Sequence, residues 1–85
     1  MRRIRLGICL LAAQALRVGA PELAEDLVAL AELPAPAREE RLAATLTTHR
    51  RAMGHAALLG DRGLVAAMGA RVALLEDATA LGASS

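Results

Sequence analysis

Apolar residues recur along this chain at alternating spacings of four and three, the repeat that lines one face of an α-helix. The first run carries Ile4, Ile8, Leu11, Ala15 and Val18 and predicts a helix from about Arg3 to Val18. Gly19 suits the left-handed position just past its end. Pro21 suits the first turn of a second helix, where the missing N–H would have had no partner anyway. That second helix, Pro21 to Leu33, places Glu22, Glu25 and Asp26 at its positive N-terminal end. The run Leu33-Pro34-Ala35-Pro36 stops it, because residues before proline are pushed out of helical geometry.

A third run starts near Pro36 and continues through Leu42, Leu46, His49, Met53 and Ala56. Gly60 ends it, and Asp61 is a good N-cap for a fourth helix carrying Leu64, Met68, Val72 and Leu75, which frays over residues 82–85. No segment shows the period-two alternation of a strand. The predicted fold is all-α: four helices forming two antiparallel hairpins, a small bundle in a single domain over residues 1–85. Hairpin 1 covers about 3–33, a linker 34–36, and hairpin 2 about 37–82.

The two halves resemble each other at an offset of 41 residues. Gly19 and Leu23 match Gly60 and Leu64, and the register continues with Leu27 and Met68, Ala31 and Val72, Leu33 and Leu74. Two stacked helix–Gly-turn–helix units are the building block of α-solenoids. Within the second hairpin, positions level about the Gly60–Asp61 turn pair Gly54 with Gly69 and Met53 with Met68. Glycine inside a helix costs about 1 kcal/mol relative to alanine, so two at one level predict close backbone approach, with the methionines filling the adjacent space.

Charge supports the same pairing. Arg2, Arg3, Arg5 and Arg17 are the charged residues of the first helix, and Glu22, Glu25, Asp26 and Glu32 those of the second. Folded together they neutralise one another, at about 0 to 1 kcal/mol per exposed pair. Composition narrows the function classes. The chain lacks Phe, Tyr, Trp, Lys and Asn, and all ten basic residues are Arg, as codon bias in a GC-rich bacterial genome would produce. Without aromatic side chains there is no stacking platform for bases, and the net charge of +1 gives no general attraction to nucleic acid. Cys9 is the only cysteine, so no intramolecular disulfide forms. A domain this small then relies on close packing or self-association, and a homo-oligomer is expected.

The stretch from Thr48 to Ala67, with Leu59-Gly60-Asp61-Arg62 at its centre, resembles a tetratricopeptide-type repeat. It is closest to the roughly 40-residue variant of bacterial transcription regulators and signalling ATPases, where a helix ending in Leu-Gly-Asp-Arg leads straight into an Ala-rich helix. The Trp and Tyr of the usual pattern are absent, as is the proline after the last helix. The resemblance implies a protein-binding scaffold without catalysis.

No catalytic constellation emerges. His49 and His55 are six residues apart, about 240° around a helix, and do not converge on a metal. His49 is expected as a packed or hydrogen-bonded residue of the apolar stripe, and Cys9 as a buried structural thiol. Glu39-Glu40 and Glu76-Asp77 read as solvated charge, and Thr45, Thr47 and Thr48 lack a nucleophile motif. No enzyme activity, metal or cofactor is predicted.

The chain is therefore expected to be an interaction module: a helical-repeat adaptor, a small chaperone-like subunit or a regulatory subunit, bound to a protein partner or to itself. Arg50, Arg51, Leu10, Leu46 and Met53 are its candidate contact residues, and Gly19, Gly54, Gly60, Asp61 and Gly69 its structural positions. Alternatives are a DNA-binding transcriptional regulator using Arg50 and Arg51, with nucleic acid disfavoured on charge, and a structural homo-oligomeric subunit. The expected compartment is the cytoplasm. The basic start Met1-Arg2-Arg3-Ile4-Arg5, the short apolar run to Ala15 and the small residues Ala13 and Ala15 form the competing pattern of an export signal over residues 1–15, too short to span a bilayer.

Overall fold

A computed structural model describes the backbone over residues 2–84 and the side chains over 3–82. The chain forms four helices, α1 (Arg2–Arg17), α2 (Pro21–Ala31), α3 (Ala35–Leu59) and α4 (Arg62–Ser84), and no strand among the described residues. The all-α expectation holds. Each boundary lies within two residues of the predicted one except at the C-terminal end, where α4 continues to Ser84 rather than fraying from Gly82. Ser85 lies outside the described residues, as does Met1 of the export-like start.

The two hairpin turns have one geometry. Gly19 and Gly60 take φ of 75° and 72°, a left-handed conformation that glycine adopts without a Cβ clash. Gly19 N–H donates to Leu16 and Ala20 N–H to Ala15; Gly60 N–H donates to Ala57 and Asp61 N–H to Ala56. Each pair is the crossed closure that satisfies the last carbonyls of a helix. Only the second turn has a side-chain cap, with Leu64 N–H donating to Asp61 Oδ1 at 3.0 Å. The α2–α3 junction differs: Glu32 and Leu33 N–H bond three residues back, and Pro34 ends the run.

α1 packs on α2 and α3 on α4, and α1 also packs on α4, whereas α2 scarcely touches α3. Ile8, Leu23, Leu27, Leu42 and Leu75, drawn from all four helices, are the largest fully buried side chains of one continuous core. At Gly7 the Leu81 side chain of α4 packs directly on α1: a Cβ there would lie 2.7 Å from Leu81 Cδ1.

The hairpins are unequal. At 1.5 Å per residue the 25 residues of α3 extend roughly 38 Å, and the 11 of α2 roughly 17 Å. The far end of the α3–α4 hairpin therefore has little of α1 and α2 to cover it. Leu58 and Leu59 are 88% and 81% exposed, and between residues 47 and 59 only Ala56 is buried. The 41-residue register follows this geometry. Leu27 and Met68 are both buried, as are Ala31 and Val72, but Leu23 is buried where its equivalent Leu64 is exposed.

Gly54 corrects the predicted glycine pairing. It is exposed, and a Cβ at that position would meet nothing within 4 Å. Gly69 does face Met53, with 3.8 Å from a Cβ to Sδ, so the methionine fills space beside one glycine without the backbones closing on each other. The tight glycine contact is at Gly7, between the hairpins, where the Leu81 side chain occupies the space a Cβ would need.

Candidate functional site

The predicted contact residues do not form one surface. Leu46 is 7% exposed within the core, which leaves it no surface for a partner, and Met53 is half-buried against that core. Both lie on the inner stripe of α3, which the burial of Leu42 extends. Arg50 is tied to Glu76 across the second hairpin at 2.8 Å, leaving Arg51 exposed beside it. Leu10 is 59% exposed, as a contact residue must be.

Groups considered for chemistry are occupied locally. Thr45, Thr47 and Thr48 each donate to the carbonyl four residues earlier, at 2.8 to 3.1 Å. His49 is part-buried, and its Nδ1 donates to the Thr45 carbonyl at 2.8 Å. Among the described residues, no three His, Cys, Asp or Glu side chains converge as metal ligands. Cys9 is exposed, not buried as expected. Its position between the core residues Ile8 and Leu11 turns the thiol to the outer face of α1.

That outer face is the feature periodicity missed. From Leu6 to Leu16, α1 contains no charged residue. Ile8, Leu11, Ala12 and Ala15 point into the core, while Leu6, Cys9, Leu10, Ala13 and Leu16 remain exposed on the other side. A surface helix ordinarily opposes its buried stripe with charge; one apolar all round is ordinarily covered on both sides. Here the second side is open.

Cys9, Ala13 and Leu16 of this face continue onto α2, whereas Leu10 borders a separate cleft beside α4. An open groove of about 610 Å³ runs along the hairpin, walled by Cys9, Ala13 and Leu16 from α1 and by Pro21, Ala24 and Val28 from α2. Its lining includes two charged residues, Glu25 and Glu32. Small residues keep the floor shallow: Ala12 and Ala24 are buried there, and larger side chains would fill it. Leu16 and Val28 stand on opposite walls at 60% and 49% exposure.

Among the described residues, three ion pairs brace the surrounding helices. Arg5 meets Glu32 at 2.7 Å across the first hairpin, Arg50 meets Glu76 across the second, and Arg71 reaches Glu22 at 3.1 Å from α4 to α2. The first is the pairing that the opposed charges of α1 and α2 predict. Its side chains are 57% and 64% exposed, which keeps its contribution to about 0 to 1 kcal/mol. It also neutralises Glu32, leaving Glu25 as the acid in the groove wall with no ion pair among the described residues.

Comparison with known proteins finds no matching family model, curated protein or solved structure. Among the described residues, no helix is long and apolar enough to cross a membrane.

Proposed function

We propose that this chain is a non-catalytic protein-interaction module whose α1–α2 groove receives an amphipathic helix from a partner protein. The observation that carries the reading is the exposed apolar stripe of α1 joined to that of α2. Contiguous apolar surface on a small protein marks an interaction site, and a shallow groove between two helices suits the apolar face of a third. The charge of the groove selects the flank of the incoming helix. Its lining has acids and no base, and with Glu32 paired to Arg5 the uncompensated charge is that of Glu25, so the complementary partner carries an Arg or Lys beside its apolar stripe. A second copy of this face offers the same acids rather than the complementary cations, which favours a foreign helix over face-to-face dimerisation.

The equivalent glycine turns and the tetratricopeptide-like stretch from Thr48 to Ala67 support the helical-repeat adaptor as the architectural class. On this reading the second hairpin is scaffold: Leu42, Leu46 and Leu75 hold α1 in place from behind.

The test uses two designed helical peptides with the same Leu stripe, flanked by Arg in one and Glu in the other. Backbone amide shifts of the full chain should move along Ala13, Leu16 and Val28 with the Arg-flanked peptide. The Glu-flanked peptide should bind about tenfold more weakly, a difference of about 1.4 kcal/mol. Val28→Glu should abolish binding while leaving the helical circular dichroism unchanged, since Val28 is 49% exposed. Shifts elsewhere, or none, would overturn the proposal. Concentration-dependent self-association lost in Val28→Glu would replace it with a homo-oligomeric subunit.

A further inference from the structure

Arg38 stands apart from the other arginines. It is the one buried charged residue among those described, 6% exposed, and its Nε is shielded from solvent without a hydrogen-bond partner. No ion pair reaches its guanidinium among the described residues. The adjacent acids do not serve it. Glu39 turns toward α4, its Oε1 3.7 Å from where a Gly82 Cβ would lie, and Glu40 is exposed. A buried donor left without an acceptor is costly, and a carboxylate arriving at the guanidinium would supply one along with the missing counter-charge.

The surroundings are arranged for such a group. Arg38 lines a cleft of about 320 Å³ between the end of α2 and the start of α3, with Arg5, Glu32, Pro34 and Ala35. The N-cap of α3 is Pro34, which supplies no side-chain acceptor. Pro36 has no N–H, so the first-turn donors are those of Ala35 and Ala37, which no side chain caps, and the positive end of the helix dipole lies at the same cleft. Arg5 and Glu32 neutralise each other at 2.7 Å, so the uncompensated charge of the cleft is the single positive charge of Arg38.

We infer that this cleft is a carboxylate-binding site, with Arg38 as the primary donor and the start of α3 as the supporting field. A monovalent carboxylate matches the charge. A phosphate dianion would exceed it and would crowd the Glu32 carboxylate. The carboxylate has two possible sources, a free small acid or an acidic side chain of a bound protein. The cleft shares Glu32 with the helix-binding groove, yet binding of a free acid requires no occupant there, so the two proposals stand separately.

The experiment follows the Arg38 Nε–Hε resonance in the full-length protein during titration with sodium acetate, against sodium chloride at matched ionic strength. Acetate should move it saturably, and chloride and inorganic phosphate should not. A short blocked peptide containing one Glu should compete with acetate if the site accepts side chains, and its Gln counterpart should not. Competition by the Glu peptide assigns a protein source; acetate binding without it assigns a free acid. Arg38→Met, which keeps the aliphatic volume and removes the buried charge, should fold and should lose at least tenfold in acetate-dependent thermal stabilisation. Arg38→Lys keeps the charge without the planar fork and should retain only part of it. An unsaturable shift, an equal response to chloride, or undiminished stabilisation in a folded Arg38→Met would overturn the assignment.

Discussion

Replacing Gly54 by alanine separates two accounts of the second hairpin, because they predict opposite signs. If the α3 and α4 backbones closed on each other at this level, a methyl group would force them apart, and overpacking of that kind costs about 1 to 3 kcal/mol. In the structure the position is exposed and a Cβ would meet nothing within 4 Å, so the steric cost is absent. What remains is backbone entropy: alanine inside a helix is favoured over glycine by about 1 kcal/mol, chiefly through the unfolded chain. For a domain of this size, 1 kcal/mol moves the unfolding midpoint by about 4 to 8 °C. Gly54→Ala should therefore raise Tm by roughly that amount, followed by circular dichroism, with an unchanged urea m-value showing that the unfolding transition itself is the same. Gly54→Leu should be tolerated, whereas Gly69→Leu should destabilise, since its side chain must displace Met53 from 3.8 Å away. A fall in Tm for Gly54→Ala would refute the open geometry and restore the close approach.

Two further predictions test the core and the turn. Leu27→Ala, at a fully buried position, should cost about 2 to 5 kcal/mol in chemical denaturation, a large share of the stability of a chain this small. Leu58→Ala, at 88% exposure, should stay within about 0.5 kcal/mol of the parent and serves as its control. Asp61→Ala removes the acceptor of the Leu64 N–H and should lower stability by about 0.5 to 2 kcal/mol in the same assay, whereas Asp61→Ser or Asp61→Asn should recover most of it.

The helices and their turns were legible because their causes are local. Gly19 and Gly60 needed no tertiary context to be placed in left-handed turns, and Pro34 marks the break after α2 wherever the helices pack. Leu46 and Met53 follow from the same periodicity as Leu42, and that periodicity alone does not tell a face packed on the core from a face open to a partner. The environments of Gly54 and Gly7 depend on which pair of helices crosses closely, and that is a long-range property. Arg38 was hidden for a different reason. It lies four residues before Leu42 and eight before Leu46, on the core stripe itself, but a positive charge there reads as an interruption of the stripe and not as its buried first member.

The N-terminal segment shows how one pattern serves two descriptions. A basic start followed by an uncharged apolar run has the composition of an export signal. It is also what a helix needs when it supplies a core on one side and a docking surface on the other. Ile8 and Ala15 are fully buried, so α1 is part of the core that covers Leu23 and Leu27. That role accounts for only half of its apolar residues. Leu6, Cys9, Leu10, Ala13 and Leu16 contribute nothing to the core, and a helix selected for packing alone would carry charge at several of them. Surface charge elsewhere in the chain shows that such residues were available: α2 places Glu22, Glu25 and Asp26 on its outward side, and α3 exposes Glu39, Glu40 and Arg41. The outward face of α1 departs from the pattern the other helices follow, and the departure is continuous with the apolar wall that Val28 forms on α2. On the proposed reading, a helix docked in the groove accounts for Cys9, Ala13 and Leu16 on the outward face, just as the core accounts for the inward one.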